Sequence, residues 1–317
     1  MSADYDVVVV GGGMAGLSAA LTAGRLGHKV ALLSSGVPGG QLLSIEHIDG
    51  IPGYEAGVAG YELCPAVQEQ CEAVGVELVP EPAERIAADG NGWTVSTPGG
   101  DFSARAVIIA SGAALARLGV AGEEDYRGRG ISECADCDGP LLRGKTAVVV
   151  GGGDSAMQEA LIVAEHAASV HLITNGEALR GQADYRQRVE ASDRIALRIR
   201  SDVTGILGDA SGLTGVRIRD NLGGAEEEVA ADGLFIFIGL VPNSAFLGDL
   251  LPLDRKGHIL VDAGLRTAAK GICAAGNVRA AGSFRAAGVM GDGAQAAKTI
   301  DDYLTTGAWK GPDCVAV

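Results

Sequence analysis

The sequence predicts an α/β protein with two Rossmann-like three-layer units. The first observation is a run of valines, Val7–Val10, that leads directly into the glycine-rich segment Gly11–Gly16. The second is a repeat of this pattern, in which the apolar residues 147–150 lead into Gly151–Ala156. Each segment is followed by a helical pattern and a second apolar strand. A buried strand, a glycine-rich turn and a helix in this order form the phosphate-binding unit of dinucleotide-binding folds.

The first glycine-rich segment has the spacing that a pyrophosphate requires. Glycines permit the tight turn and the close approach of the phosphates, and the helix that follows offers backbone N–H groups at its positive end. The next strand, Val30–Leu33, ends in Ser34, where an acidic residue that binds a ribose is usual. A hydroxyl group can replace that carboxylate, although more weakly. The candidate binding residues here are Gly11, Gly13, Met14, Ala15, Gly16 and Ser34.

The second glycine-rich segment precedes a helical pattern from Met157 to about Ala167 and a strand over Ser169–Ile173. Two such segments indicate two dinucleotide sites, or one working site and one relic. Two ordinary glycine-rich turns would require two coincidences, so we give this explanation little weight.

A pair of cysteines, Cys134 and Cys137, lies between the two glycine-rich segments. At this spacing they can form a disulfide, and one thiol can attack an external disulfide while the other resolves the intermediate. The same spacing could form half of a zinc site, but zinc needs further ligands, and the nearest downstream histidine is His166. We therefore expect a redox-active pair and no metal.

The order of these motifs resembles that of the low-molecular-weight thioredoxin reductases, and the resemblance covers nearly the whole chain. Further matching segments are Gly39–Leu42, Ile51–Gly53, Ala106–Gly112, Arg127–Gly130, Gly239–Asn243 and Gly271–Gly276. The resemblance implies that the second domain is inserted into the first. Residues 1–114 and 244–317 would bind FAD, and residues 115–243 would form a pyridine-nucleotide-type domain that carries the dithiol. In this family the linkers let one domain rotate, so that the dithiol meets the flavin and the protein substrate in turn.

The resemblance also assigns flavin contacts. Beyond the first glycine-rich segment they are Gly40, Gln41, Leu42, Gly112, Gly276, Asn277, Arg285, Ala286 and Ala287. Asn277 stands where the family has an aspartate that holds the ribityl chain, and Ala286 stands where it has a glutamine. Arg285–Ala287 precede a helix whose positive end stabilises the reduced flavin.

The sequence departs from the family at the clamp for the 2′-phosphate of NADPH. Where the family has a His-Arg-Arg cluster and a further arginine, this chain has Thr174, Asn175 and Gly176, and only Arg180 remains. The missing partners should weaken NADPH binding by about 1.5–3 kcal/mol per charged hydrogen bond. Thr174 or Asn175 could bond a ribose hydroxyl, so weak NADPH use, NADH use and no pyridine nucleotide all remain open. The candidate nucleotide residues are Gly151, Gly153, Asp154, Ser155, Ala156, Thr174, Asn175 and Arg180.

The resemblance gives each catalytic residue a role. Cys137 would lie over the flavin, Cys134 would meet the external substrate, and Asp138 would donate or accept the proton of the departing thiol. An FAD-dependent dithiol oxidase that uses oxygen is an alternative, although such oxidases tend to carry histidine at the position of Asp138. A disulfide reductase fed by ferredoxin or a reduced flavin carrier is another. The intact cysteine pair argues against a non-catalytic flavin-binding regulator.

Charge and hydropathy limit the partners. The net charge of −15 argues against nucleic acid and acidic membrane surfaces as partners. No apolar stretch reaches membrane-spanning length, and the N-terminus does not resemble a signal peptide, so we expect a cytoplasmic protein. The resemblance implies a homodimer whose substrate is a thioredoxin-like protein or a small-molecule disulfide or dithiol. Arg127 and Arg129 are candidate partner contacts, whereas Pro140 and Leu141 replace an aromatic pair that helps to seat thioredoxin.

Several local expectations complete the analysis. We predict helices over residues 61–74 and 291–302, and strands over residues 93–97, 102–109, 258–261 and 271–274. Cys64 and Cys71 are expected to be buried packing residues, and Cys314 a free terminal cysteine.

Overall fold

The computed structural model describes residues 3–309, so the expectation for Cys314 lies outside the described residues. Leu115–Leu240 form one compact unit, and the described residues on either side of this segment form the other. Sequence analysis placed the first boundary at the same position and the second one at residues 243/244.

The strands and helices follow one another in the order that two dinucleotide-binding units require. The first part of the outer unit contains β1 (Tyr5–Val10), α1 (Met14–Arg25), β2 (Val30–Leu33), α2 (Gly60–Ala73), β3 (Glu77–Val79), β4 (Arg85–Asp89), β5 (Gly92–Thr97), β6 (Gly100–Ile109) and β7 (Ala113–Leu115). The inserted unit contains β8 (Ile131–Ser132), α3 (Ala135–Asp138), β9 (Thr146–Val150), α4 (Asp154–His166), β10 (Ser169–Ile173), α5 (Ala183–Glu190), β11 (Ile195–Arg198), β12 (Ser201–Asp209), β13 (Gly212–Asp220), β14 (Glu226–Ala230) and β15 (Gly233–Ile236). The chain then continues through β16 (Leu240–Pro242), β17 (Ile272–Ala274) and α6 (Ala286–Thr306).

The outer unit is built on a sheet with parallel strands in the order β3-β2-β1-β6-β17, to which β5 and β4 add an antiparallel extension from β6. Val7 and Val9 pack with the helices α1, α2 and α6 on one face. Val8 and Val10 pack on the other face with β4, β5 and Ile259. Both faces of β1 are therefore covered, which explains why its sequence is continuously apolar rather than alternating.

The inserted unit repeats this plan with a parallel sheet in the order β11-β10-β9-β15-β8. Val149 packs with Met157 of α4 on one face, whereas Val148 packs on the other face with Val203 and Val216 of the antiparallel sheet β12-β13-β14. The predicted α/β class with two Rossmann-like three-layer units is confirmed.

Most predicted elements are present with shifted ends. The helix predicted from Met157 already begins at Asp154, and the helix predicted from residue 291 begins at Ala286. The strand predicted over residues 258–261 is wrong, because Ile259 forms only isolated bridges there, with Leu253 and Arg279. In the part of the chain that the structure describes, no helix combines the length and apolar character needed to cross a membrane.

Candidate active site

The first glycine-rich loop can accept only glycine at its turn. Gly11 has φ 111°, and a Cβ atom there would overlap the carbonyl oxygen of Ala110. A Cβ atom at Gly12 would overlap the hydroxyl group of Ser34, which is buried and donates to the carbonyl oxygen of Gly36 at 2.9 Å. While it donates to Gly36, the Ser34 hydroxyl group retains acceptor capacity for a ribose.

Residues from two distant parts of the outer unit meet at this loop. The N–H of Gly39 donates to the carbonyl oxygen of Gly12 at 2.7 Å. A Cβ atom at Gly40 would lie 3.1 Å from the Cα atom of Gly13, and one at Gly276 would lie 2.8 Å from the Cβ atom of Ala15. The structure therefore brings Gly40 and Gly276 to the predicted dinucleotide loop.

Gly112 lies at the connection between β6 and β7, and the side chain of Gln41 reaches this connection from the segment Gly40–Ser44. The side-chain amide of Gln41 donates to the carbonyl oxygen of Ala113 at 2.6 Å, and Gly112 has φ 68°. Leu42 is half-buried and packs against the core formed by α1 and α2.

Asn277 provides the observation that tests the fit of a flavin cofactor. Its Oδ1 atom is buried and has no hydrogen-bond partner among the described residues. Buried acceptors are normally paired, so an orphaned one beside a dinucleotide loop fits a bound group that donates to it. The space beside Gly13 is open, since a Cβ atom there would meet no other atom within 4 Å. The residues present therefore fit FAD.

The helix that follows is fixed against the same loop. Helix α6 begins at Ala286 with Arg285 as its N-cap, and Ala286 and Ala287 are half-buried. The hydroxyl group of Ser18 in α1 donates to the carbonyl oxygen of Met290 at 2.7 Å. The first turns of α1 and α6 therefore lie side by side.

Sequence analysis missed a half-buried ion pair that supports this arrangement. Asp292 accepts hydrogen bonds from Nε and Nη2 of Arg279, both at 2.7 Å, and from the N–H of Gly276 at 3.0 Å. The carboxylate thus joins α6 to the turn that carries Asn277. A single acid in the glycine-rich start of a helix was the only signal for it in the sequence.

The second glycine-rich loop has the same local construction. A Cβ atom at Gly152 would overlap the hydroxyl group of Thr174, which is buried and accepts the N–H of Gly176 at 3.2 Å. The N–H of Arg180 donates to the carbonyl oxygen of Gly152 at 2.7 Å. Asp154 accepts the N–H of Gln182 at 2.7 Å. The predicted residues of this loop, Thr174 and Arg180 are therefore brought together.

The remaining predicted residues of this loop differ in exposure. Gly151 has φ 142°, and a Cβ atom there would overlap the carbonyl oxygen of Phe237. Gly153, Ser155 and Asn175 are exposed, whereas Ala156 is buried.

Two arginines that the sequence analysis did not consider lie at the adjacent strand end. The N–H of Thr174 donates to the carbonyl oxygen of Arg198, and the N–H of Arg200 donates to that of Gly176, both at 2.9 Å. Arg198 forms an ion pair with Glu227, and Nη2 of Arg200 lies 3.3 Å from Glu177. The Arg200 Nε atom is buried and lacks a partner among the described residues. Placing β11 beside β10 would have revealed both arginines.

Cys134 and Cys137 form a disulfide at the start of the short helix α3. Cys134 is the N-cap, and its Sγ atom accepts the N–H of Cys137 at 3.1 Å. Cys137 is exposed, whereas Cys134 and Asp138 are half-buried. The N–H of Asp138 donates to the carbonyl oxygen of Cys134 at 3.2 Å. The pair is therefore accessible and held by its own helix turn.

A second residue missed from the sequence, Glu159 of α4, lies directly against this helix. Its Oε2 atom accepts the N–H of Ala135 at 2.8 Å. Burial raises the pKa of the Glu159 carboxyl to about 7, and the neighbouring charge of Asp136 adds to the rise. Glu159 is 24 residues from Ala135 along the chain, so no local motif indicates the contact.

The residues considered as partner contacts, which lie near the cysteine pair in the sequence, differ in their engagement. Arg127 pairs with Glu133, and Arg129 donates to the carbonyl oxygens of Asp209 and Ala210. Leu141 is 69% exposed. Both arginines that were considered as partner contacts are therefore already engaged within the chain.

The isolated cysteines of the outer unit are packing residues, as predicted. Cys64 and Cys71 are fully buried. Burial raises the pKa of both thiols, that of Cys71 to about 11, which leaves them protonated and unreactive at neutral pH.

Two dinucleotide-type units, one of which carries an accessible disulfide, define the class of flavin-dependent disulfide oxidoreductases. The sequence pattern of the pyridine nucleotide-disulphide oxidoreductases matches residues 5–298. The thioredoxin reductase of Treponema pallidum is 35% identical over 96% of this chain and 99% of its own. The solved thioredoxin reductases of Lactococcus lactis and T. acidophilum are 36% and 33% identical, with TM-scores of 0.92 and 0.90. They cover 95% and 96% of this chain, which spans 99% and 100% of theirs.

The chain belongs to the pyridine nucleotide-disulphide oxidoreductase family. Within it, the chain is an FAD-dependent disulfide oxidoreductase of the thioredoxin-reductase type, and the resemblance seen in its motifs is confirmed.

Proposed function

We propose that this flavoprotein reduces the disulfide of a thioredoxin-like protein with electrons that pass from FAD through Cys134 and Cys137. The observation that carries the proposal is the accessible Cys134–Cys137 disulfide in the inserted unit. The relatives named thioredoxin reductase favour this reaction over a dithiol oxidase or a ferredoxin-fed reductase. Leu141, exposed close to the pair in sequence, is an apolar contact for a protein partner.

The two cysteines have separate tasks in this proposal. The flavin in its reduced form would supply the two electrons that open the Cys134–Cys137 bond, and Cys137 would be the sulfur that accepts them. The Cys134 thiolate attacks the external disulfide, and the first substrate sulfur leaves with a proton from Asp138. Cys137 then attacks Cys134, which releases the second substrate sulfur and restores the internal disulfide.

Each unit binds one dinucleotide in this proposal. The outer unit holds FAD at the first glycine-rich loop, with Asn277 as an acceptor. The inserted unit holds the pyridine nucleotide at the second loop, and NADPH binds there weakly. Support for weak binding comes from Asn175, which carries no charge, and from Arg198 and Arg200, which lie beside acids. The proposal also includes a homodimer located in the cytoplasm. Sedimentation of the purified protein would test the dimeric state.

Serine variants of the two cysteines test the proposed electron path. Cys137→Ser should abolish flavin reduction by external dithiols. Cys134→Ser should leave a Cys137 thiolate that produces a long-wavelength charge-transfer absorbance with oxidised FAD. Anaerobic titration of each variant with a dithiol, followed at the flavin bands, measures both effects. If the long-wavelength band appears in Cys137→Ser instead, the roles of the two cysteines are reversed.

Reduction of a thioredoxin tests the substrate. Wild-type protein with an electron donor should reduce a purified thioredoxin, measured as the release of free thiols, and both serine variants should not. Reduction of small disulfides without reduction of thioredoxin would contradict the proposed partner. Oxygen-dependent closure of small dithiols without any disulfide reduction would favour the oxidase.

A further inference from the structure

Glu159 brings a carboxylate to the backbone between the two cysteines. Its Oε2 atom accepts the N–H of Ala135, the residue that follows Cys134, at 2.8 Å. Ala135 itself is fully buried and packs in the core formed by α4 and β9. The side chain is therefore a link between the dithiol helix and the helix that starts at the second glycine-rich loop.

The groups around Glu159 offer no compensating positive charge from the dithiol helix. Helix α3 carries Asp136 and Asp138, and the charge of Asp136 acts against ionisation of Glu159. The other elements packed against α4 carry these charged or titratable groups: His171 on β10, Asp184, Tyr185, Arg186, Arg188 and Glu190 on α5, and Arg198 on β11. Helix α4 itself carries Asp154, Glu165 and His166. Burial remains the main factor that favours the neutral carboxyl of Glu159.

Two neighbouring N–H groups of α3 serve two separate acceptors. The N–H of Ala135 donates to Glu159, and the N–H of Cys137 donates to the Sγ atom of Cys134. In the oxidised protein that sulfur is neutral. After reduction, a thiolate on either cysteine would place a second negative charge within one turn of the Glu159 carboxylate. Repulsion between the two anions would raise the proton affinity of Glu159.

We propose that Glu159 is a positioning residue of the dithiol that takes up a proton when the Cys134–Cys137 disulfide is reduced. Two electrons break the S–S bond, one sulfur binds a proton from solvent, and the other remains a thiolate. A second proton neutralises the Glu159 carboxylate in those molecules in which it is ionised before reduction. The reductant is the flavin or an external dithiol, so the inference rests on the proposed redox role of the pair and not on the identity of the substrate.

The number of protons taken up with the two electrons tests this inference. The FAD-loaded full-length protein would be equilibrated with mixtures of reduced and oxidised dithiothreitol at a series of pH values around 7. Alkylation followed by mass spectrometry of the peptide that contains Cys134 and Cys137 gives the reduced fraction of this pair alone. The pH dependence of its midpoint potential gives the proton count. We expect wild-type protein to take up close to one proton more per two electrons than Glu159→Gln at pH 8, where the Glu159 carboxyl of the oxidised protein is mostly ionised, and the difference to fall toward zero at pH 6, where it is already mostly neutral. Glu159→Gln keeps an acceptor for Ala135 but cannot ionise.

Glu165→Gln is the matched control, because Glu165 is an exposed carboxylate on the same helix. It should retain the wild-type proton count. Equal counts in wild-type protein and Glu159→Gln at pH 8 would overturn the inference, as would an equal loss in both variants. Failure of dithiothreitol to reduce the pair in wild-type protein would instead overturn the proposed redox function itself, and so the two failures are distinguishable.

Discussion

The two glycine-rich loops of this chain share a construction. In each, the first glycine has a positive φ, 111° at Gly11 and 142° at Gly151. In each, a hydroxyl group from the end of the following strand lies against the second glycine, from Ser34 in the outer unit and from Thr174 in the inserted unit. Neither strand end carries an acid. The loops differ mainly in the polar groups around them.

Beside the first loop, the Oδ1 atom of Asn277 is buried and lacks a partner among the described residues. Around the second loop, Asp154 already accepts from Gln182 and Arg198 pairs with Glu227. The Nε atom of Arg200 has no partner within residues 3–309, but its guanidinium group already lies beside Glu177. A ligand gains the most binding free energy where it forms a hydrogen bond with a buried polar atom that has no other partner. It gains the least where it must first break hydrogen bonds or ion pairs that already exist. The comparison therefore predicts a tightly held dinucleotide in the outer unit and a loosely held one in the inserted unit.

Replacing the second glycine of each loop with valine should have the largest effect, because each substitution should abolish the binding of a different dinucleotide. In both loops the new side chain would overlap the adjacent hydroxyl group and block the phosphates. We expect Gly12→Val to purify without bound FAD, a loss of affinity on the order of 100-fold or more, equivalent to about 3 kcal/mol. Gly152→Val should stay yellow and accept electrons from a dithiol, but not from NADH or NADPH. Flavin content and anaerobic reduction measure both. Loss of flavin from Gly152→Val alone would reverse the assignment.

Charge added to the second loop should strengthen NADPH binding. Asn175 is exposed, and Asn175→Arg would offer a 2′-phosphate a charge-assisted partner that the wild-type protein lacks. We expect the KM for NADPH to fall by about 10- to 100-fold, from roughly 1.5–3 kcal/mol per charged hydrogen bond, with little change for NADH. Gly176→Arg would add to this, although its Cβ atom would lie 3.2 Å from the carbonyl oxygen of Ala178.

Glu177→Gln provides an independent version of this test, because it removes the acid beside Arg200. Its effect should have the same direction but stay within about 5-fold, since exposed ion pairs contribute only about 1 kcal/mol or less. A micromolar KM for NADPH in the wild-type protein would contradict the argument for a missing clamp.

Removal of the orphaned acceptor should weaken FAD binding by a smaller amount. Asn277→Ala deletes the buried Oδ1 atom. We expect FAD affinity to fall by about 5- to 30-fold, which corresponds to roughly 1–2 kcal/mol for one hydrogen bond. Asn277→Asp keeps an acceptor at this position and is the matched control. Unchanged FAD affinity in Asn277→Ala, measured by flavin release on dilution, would show that the atom does not contact the cofactor.

The smallest expected effect concerns the pH dependence of stability at Glu159. Burial raises its pKa to about 7, so the folded oxidised protein favours the neutral acid. The stability that the neutral carboxyl of Glu159 contributes is fully present below about pH 4.3, which is the pKa of glutamate in the unfolded chain. This contribution is lost as the pH rises from there toward 7, the pKa in the folded protein. Glu159→Gln lacks this loss and should be more stable than wild type at pH 8 by about 1 kcal/mol, or about 2–4 °C in Tm, because solvent screens a half-buried side chain.

At pH 5 the Tm advantage of Glu159→Gln should be largely absent, and thermal unfolding of both oxidised proteins at the two pH values measures it. An equal difference at pH 5 and pH 8 would mean that Glu159 does not titrate in this range.

Local patterns predicted the parts of the fold that depend on local sequence. The buried strand Val7–Val10 and the helix after each glycine-rich loop follow directly from the order of apolar residues and glycines. The wrong strand at residues 258–261 has an apolar sequence, but Ile259 finds only isolated bridges. Pairing with neighbours, rather than residue type, decides whether such a segment forms a strand.

The candidate site was predictable to a similar extent. The cysteine pair and both glycine-rich loops are contiguous motifs, and the structure brings Gly276 to the first loop as the resemblance implied. Glu159 and Arg200 were missed because their contacts depend on how α4 packs on α3 and on which strand lies beside β10. Such contacts follow from tertiary packing and leave no spacing in the sequence.

The close fit of α1 against α6 has a consequence for the synthesis of the chain. A Cβ atom at Gly293 would overlap the carbonyl oxygen of Ala15, and Ser18 bonds Met290, 272 residues further along. All residues of the inserted unit are available for folding once residue 240 has left the ribosome. Helix α1 can pack on α6 only after α6 has been synthesised as well. At about 5–20 residues per second, roughly 3–12 s pass between these two points on the ribosome. The unit that begins first is therefore the last to complete its packing, and during this interval the face of α1 that contacts α6 lacks its partner.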